Sequence, residues 1–251
     1  MDNIKKKLLD LMIDKFDDVF ELIYLDVGSA GGLNEVWDYL IKTNFMKAVL
    51  IDIQDDGLGQ LYPKERVKRV QVALGGHTTQ QKVYLTKGRW CSSCLIPDME
   101  VLNEYPVKEW FEVNEEKTIN MTRYDHVSME KGLPHPHFVK IDVKGYEIQV
   151  LEGMGKVLDS VLCLEHETHL RPIYKGQADF NKIYKFLFDK GFRLYDLKPT
   201  GVFEGEALEF DAFWIRKTDD PQEIALIEIW KVANDIWTGM YFNDLSFLKT
   251  S

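Results

Sequence analysis

The sequence predicts an α/β fold: an open, seven-stranded, mostly parallel sheet with one antiparallel strand near its edge, helices on both faces, and further helices at the two ends of the chain. Three observations carry this reading. Short β-rich runs recur along the chain: "ELIYLDV", "KAVLIDI", "RVQVALG", "HFVKIDV", "SVLCLEH", "FRLYDL" and "EFDAFWIRK". They are apolar on both sides and alternate with helix-length segments, as a parallel sheet covered on both faces requires. The last two are joined by "KPTGVFEGEAL", too short for a helical crossover, so they pair antiparallel.

From the N-terminus, residues 1–20 read as an amphipathic helix. The lysines of "MDNIKKKLLDLMIDKFDD" resemble the start of a signal peptide, but Asp10 and Asp14 interrupt the apolar stretch that should follow. The helices "GLNEVWDYLIKTN", "GYEIQVLEGMGKVL" and "QADFNKIYKFLFDKG" follow the first, fourth and fifth runs. In the last, Phe180, Ile183, Phe186 and Leu187 recur at helical spacing, with Gly191 where a C-terminal cap belongs. Residues 76–137 are less regular. "KVYLTK" and "WFEVNEEKTINM" suggest extra strands there, and "DMEVLNEY" a small helix. The tail, 220–251, is helical, and its apolar face, with Ile227, Trp230 and Trp237, must be covered by the domain or by a second copy in a homodimer. A single domain, 1–251, with its core over 22–217, accounts for the 251 residues.

Composition narrows the function. The 31 Lys and Arg against 41 Asp and Glu give a net charge of −10, which opposes a phosphate-backbone partner, so nucleic acid is not expected. No run approaches the roughly 20 apolar residues of a membrane span. Three cysteines make no disulfide framework, and a reduced, cytoplasmic setting is expected.

The first run ends in "LDVGSAGG", a strand to helix turn with Gly28, Gly31 and Gly32. Small residues there let a ligand approach the backbone. The second run ends at Asp52, placed to accept hydrogen bonds from both hydroxyls of a ribose. The pyrophosphate loop of nicotinamide-binding proteins and the P-loop are both missing. An adenosine without phosphates, as in S-adenosylmethionine, suits the looser turn, with Asp26 and the glycines toward its methionine end.

"LDVGSAGG", "RWCSSCL", "MTRYDHV" and above all "FVKIDVKGYEIQVLEGM" give the chain a specific likeness, extended by "LEHETHLRPIYKGQADFNKIYKFLFDKGFRLYDL". On these stretches it resembles the FkbM-type S-adenosylmethionine-dependent methyltransferases, seven-stranded Rossmann-like enzymes that usually methylate hydroxyl groups of sugars or other natural products. The resemblance implies S-adenosyl-L-methionine as cofactor, a small-molecule or glycan acceptor, and cofactor contacts from Asp26, Gly28, Ser29, Gly32, Asp52, Ile53, Ala73, Ser93 and Asp142, with Ser92 nearby. The chain departs from the family pattern in having Ala30 for a common Asn, Lys144 for a common Glu, and Asp52-Ile53 for Glu-Pro.

Ligands of open α/β sheets sit at the carboxyl ends of the strands, where Asp142 and Glu165 are expected. Methyl transfer to a hydroxyl must manage its proton, and three devices are in view. Asp142 is one candidate base, with Glu165 beside it. His166 or His169 of "EHETH" is a second. The third is a divalent cation such as Mg, with Asp142, Glu165 and Glu167 as candidate ligands. Glu147 reads as structural, favouring the first turn of its helix, or as a support behind the site residues. Lys140 needs a carboxylate partner inside its apolar strand. "WCSSC" reads as a non-redox loop, and Trp90, Trp110 and Tyr174 are candidates for stacking on a sugar. The alternatives are a nucleic-acid or N-directed methyltransferase, which the charge opposes, and a catalytically silent cofactor-binding protein.

Overall fold

The computed structural model describes residues 2–16, 20–54, 62–203 and 205–242. Its main sheet has seven strands: β1 (Leu22–Val27), β2 (Met46–Asp52), β3 (Val67–Gln71), β7 (Phe138–Ile141), β8 (Cys163–His169), β9 (Phe192–Phe203) and β10 (Glu206–Arg216). They lie in the order β3-β2-β1-β7-β8-β10-β9. The five strands from β3 to β8 are parallel, and β10 runs antiparallel to both β8 and β9. The expected reversed strand is therefore β10, second from the edge. Strand order turns round between β1 and β7, which opens a crevice at their carboxyl ends.

Alternation along the strands sorts the core into two layers. Leu25, Val49, Val139 and Leu164 face α4 (Tyr124–Lys131), α5 (Glu147–Met154) and α6 (Phe180–Asp189). Tyr24, Ala48, Phe138 and Cys163 face α1 (Asp2–Lys15), α2 (Glu35–Leu40) and α7 (Pro221–Phe242). In α7, Ile227 and Trp230 are buried against this second layer, while the side chain of Trp237 and residues 243–251 lie outside the described set. Among the described residues, no helix is long and apolar enough to cross a membrane.

One sequence expectation changes. The run "RVQVALG" is split: β3 stays in the main sheet, whereas β4 (Ala73–Leu74) turns away to pair with β6 (Val113–Thr122). In the stretch 76–137 the two expected extra strands and the small helix are present. β4, β6 and β5 (Thr79–Thr86) form a three-stranded sheet, accompanied by α3 (Met99–Leu102) and α4. Strands β5 and β6 carry mostly exposed polar side chains, so their apolar signal is faint. A separate small core, with Leu102, Phe111 and Tyr174, packs this segment against the loop after β8.

Candidate functional site

The site begins where β1 and β7 end. The Asp142 N–H donates to Val27 O at 2.9 Å and the Gly28 N–H to Ile51 O at 2.8 Å, so the turns after β1 and β7 are hydrogen-bonded to neighbouring strands. A Cβ at Gly28 would lie 1.9 Å from the Asp142 carbonyl oxygen, and its φ is +85°. Only glycine fits that crossing. After Asp142, Lys144 (φ +53°) and Gly145 (φ +92°) reverse the chain into α5. Glu147 fixes this reversal: its Oε1 accepts the N–H groups of Gly145 at 3.0 Å and Val143 at 3.3 Å. Burial pushes the Glu147 carboxyl up to about 7, against the lowering effect of those N–H groups. It thereby holds the turn into α5 in place.

Over this crossing lies a cavity of about 220 Å³. Of the residues expected to bind the cofactor, Gly28, Asp52, Ile53, Ala73, Ser93 and Asp142 line it. Asp52 is oriented by the Gln54 N–H, which donates to its Oδ1 at 2.8 Å. Ser93 joins the small sheet to the main one: its Oγ donates to Lys144 O at 2.5 Å and accepts from Leu95 N at 3.0 Å. Ser92, Lys144 and Tyr146 also line the cavity, and Trp90, 64% exposed, stands at its side with Trp110 edge-on at 5.8 Å.

The other expected site residues are held outside the lining. Ser29 supports the glycine turn, its Oγ accepting from Arg69 Nη1 at 3.1 Å, and Gly32 closes that turn by donating to Ser29 O at 3.0 Å. Asp26 is buried on the sheet face toward α1, α2 and α7, below the cleft. Glu165 does not reach the rim, because β8 continues to His169. His166 points to the opposite layer, where it stacks on Trp214 at 6.1 Å and its Nδ1 lies 2.9 Å from Glu167 O. Burial holds its ring down to about 4, so it is neutral and remote from the cleft, against the expectation that it serves as a base. Tyr174 is a core residue rather than a stacking platform, its hydroxyl donating to Cys91 O at 2.9 Å. Burial pushes the unpaired Cys91 and Cys94 thiols up to about 12 and about 11, in keeping with a non-redox loop.

Beneath the cleft runs a ladder of buried charge. Asp26, Lys140 and Glu165 are registered neighbours across β1, β7 and β8, Glu167 faces Asp211 across β8 and β10, and His169 faces Glu209. Lys140 thus finds its carboxylates, with Asp142 Oδ2 at 3.4 Å. Burial pushes Glu165 up to about 8, aided by Asp211, and Asp26 and Asp211 to about 6. Asp142 goes the other way. Burial would raise it, but the Lys144 and Lys140 ammonium groups outweigh that and hold it down to about 2. Deep in the molecule, yet with a quarter of its side chain facing open space, it is the ionised acid of the cleft: 25% of that side chain is exposed.

A sequence comparison bears on what this cleft serves. Residues 30–194 match the family described as the methyltransferase FkbM domain, which starts within the turn after β1 and takes in the small sheet, the signature turn and β8. The chain belongs to that family. No curated protein matches the sequence. Among solved structures, the FkbM chain is similar to a precorrin-6y C5,15-methyltransferase from Geobacter metallireducens GS-15, with 12% identity, coverage of 85% of this chain and 88% of that one, and a TM-score of 0.37. Magnesium protoporphyrin IX methyltransferase from Synechocystis PCC 6803, with bound SAM, gives 11%, 86%, 79% and 0.39 for the same quantities. The N-methyltransferase NodS from Bradyrhizobium japonicum WM9 gives 9%, 85%, 94% and 0.38.

Several residues of this FkbM site were not singled out from the sequence. Asp211 and Glu209 join the ladder from β10, and Gln177 holds His169, its Nε2 lying 2.9 Å from Nδ1. Alternation along "EFDAFWIRK" already sets Glu209, Asp211 and Phe213 apart from their neighbours, but which face they share with Glu165 depends on pairing that one strand cannot reveal.

Proposed function

We propose that this FkbM-family chain is an S-adenosylmethionine-dependent O-methyltransferase acting on a hydroxyl of a sugar, glycan or other small molecule. One observation carries the reading: at the point where strand order reverses, a side-chain-free turn at Gly28, the Asp52 carboxylate and the ionised Asp142 converge on one cavity. When bound, S-adenosylmethionine supplies a methyl group activated by a sulfonium; a C–O bond to the acceptor forms as the S–CH3 bond breaks, leaving S-adenosylhomocysteine.

The chain's own groups fit that chemistry. Gly28 offers backbone without a side chain, so a ligand can lie against the β1 turn. Asp52, at the end of β2, has the place and the acceptor oxygens for a ribose diol. Asp142 lines the cavity with a negative charge, which suits a cationic donor. Held near 2, it is a weak base toward a neutral hydroxyl. Its fit is to orient that hydroxyl and to take the proton late, once methylation has made the acceptor oxygen strongly acidic. Trp90 provides an exposed aromatic face beside the cavity for a sugar or planar acceptor.

Titration calorimetry with S-adenosylmethionine and S-adenosylhomocysteine tests the donor. Binding of either by the wild-type chain, lost when Asp52 becomes Ala, is the expected result, and no heat from either ligand removes the reading. A mass-shift screen over glycans and small alcohols then tests the acceptor, a gain of one methyl on oxygen being expected and transfer confined to amines overturning it.

A further inference from the structure

Among the described residues, one set of side chains is close enough to hold a metal ion: Glu167, His169 and Glu209, whose ligand atoms lie within 4.8 Å of one another. Asp142 adjoins this set through Lys144, and Glu167 Oε1 and His169 Nε2 are buried with no hydrogen-bond partner. Such a group invites a divalent cation. Two features of this chain argue against one.

The first is the histidine. Gln177 Oε1 accepts two backbone N–H groups, from Ile173 at 3.0 Å and Tyr174 at 3.3 Å, which fixes the amide the right way round. Its Nε2 therefore donates to His169 Nδ1 at 2.9 Å. A neutral ring that accepts at Nδ1 carries its hydrogen on Nε2, and Nε2 faces Glu209 Oε2 at 3.6 Å. The nitrogen turned toward the carboxylates thus carries a hydrogen and offers a cation no lone pair.

The second is Lys144. Its left-handed backbone turns the side chain back over the end of the sheet, and Ser93 clamps the turn through the Lys144 carbonyl. There its Nζ lies 3.1 Å from Asp142 Oδ1 and in close hydrogen-bonding contact with Glu167 Oε2. That is the position, between two carboxylates at the cleft floor, that a divalent cation would take.

We propose that the Lys144 ammonium is the resident cation of this site, standing between Asp142 and Glu167 in place of a metal ion. It hydrogen-bonds Glu167, whose carboxyl burial nevertheless pushes up, and keeps Asp142 ionised and aimed at the cleft, whichever acceptor the cleft takes. The proposal concerns the charge beneath the cleft and goes beyond methyl transfer itself.

The experiment is a Mn2+ titration of the full chain, followed by the electron paramagnetic resonance of free Mn2+ and by thermal melting, on wild type, Lys144→Gln and the double variant Lys144→Gln/Glu167→Gln. Wild type is expected to bind no Mn2+ at micromolar concentrations and to melt at the same temperature with chelator or with metal. Lys144→Gln strands buried carboxylates, so its Tm should fall by roughly 10 °C and recover on adding Mn2+. The double variant, with both charges removed, should fold and ignore Mn2+, which keeps the test open if the single variant fails to fold. Stoichiometric Mn2+ binding by wild type, or by the double variant as tightly as by Lys144→Gln, overturns the proposal. So does a Lys144→Gln protein that folds and shows no response to the metal. S-adenosylhomocysteine affinity, measured alongside, reports on the methyltransferase reading separately: its absence in metal-blind wild type would remove that reading and leave this one standing.

Discussion

At the scale of single residues, the site depends on how one carboxylate is kept unlike its neighbours. Asp26, Glu165 and Asp211 are driven upward by burial, whereas Asp142 sits against two ammonium groups and is driven down to about 2. It therefore carries its charge throughout the physiological range, and a pH–rate profile should show no titration from it above about pH 3. Asp142→Asn keeps the shape and removes the charge. Turnover is expected to fall about 100-fold, while S-adenosylhomocysteine affinity changes by less than about tenfold, because the neutral product lacks the sulfonium charge that Asp142 is proposed to face. Unchanged turnover in single-turnover kinetics would show that Asp142 has no part in the transfer. Much of this residue's environment was readable beforehand: a lysine inside the apolar run "HFVKIDV" requires a carboxylate, and Lys140 finds several. The meaning of Lys144 was not readable, because its side chain reaches Glu167 only through the tertiary meeting of β7 and β8.

At the scale of elements, the main sheet was legible, and of the small one the two longer strands were, while β4 and the way the three pair were not. The strands β1, β2 and β7 are buried on both faces and announce themselves as largely apolar runs, whereas β8, equally buried, is apolar only at its start. The strands β5 and β6 have a mostly polar, exposed surface, and β4 is two residues long. Helix α4 buries only Tyr124, Val127 and Ser128, too short a stripe to stand out. One link between the two sheets is Ser93, whose hydroxyl spans from the loop after β5 to the turn before α5. Ser93→Ala leaves the Lys144 carbonyl without that donor and the Leu95 N–H without its acceptor. The expected cost is about 1 kcal/mol in denaturant unfolding, together with a several-fold weaker S-adenosylhomocysteine affinity as the cleft wall loosens. A variant with wild-type affinity would mean that the small sheet is positioned by its apolar contacts alone.

At the scale of the whole molecule, the buried ladder couples stability to pH with a definite sign. Glu165 has a folded value of about 8 against an ordinary 4.5, so between those limits the native state binds a proton that the unfolded chain has lost. Stability must then fall as pH rises through that window, by roughly 1.4 kcal/mol per unit from this group at most. Asp26, Asp211 and Glu147 act in the same direction over lower ranges, up to about 6, 6 and 7. Two groups oppose them on the acid side. His166, neutral in the fold down to about 4, costs stability as pH falls below its ordinary 6.5, and Asp142 does so below its ordinary 3.8. The chain should therefore be most stable in mildly acidic solution and lose Tm toward pH 8, by roughly 3–5 °C per unit if Glu165 dominates. Glu165→Gln cannot ionise and preserves the shape, so its Tm should be nearly flat between pH 6.5 and 8.5, crossing above wild type as pH rises. Thermal melts of both proteins across that range decide the matter: parallel curves would mean that Lys140 neutralises Glu165 in the fold and that the ladder stays fully ionised at neutral pH.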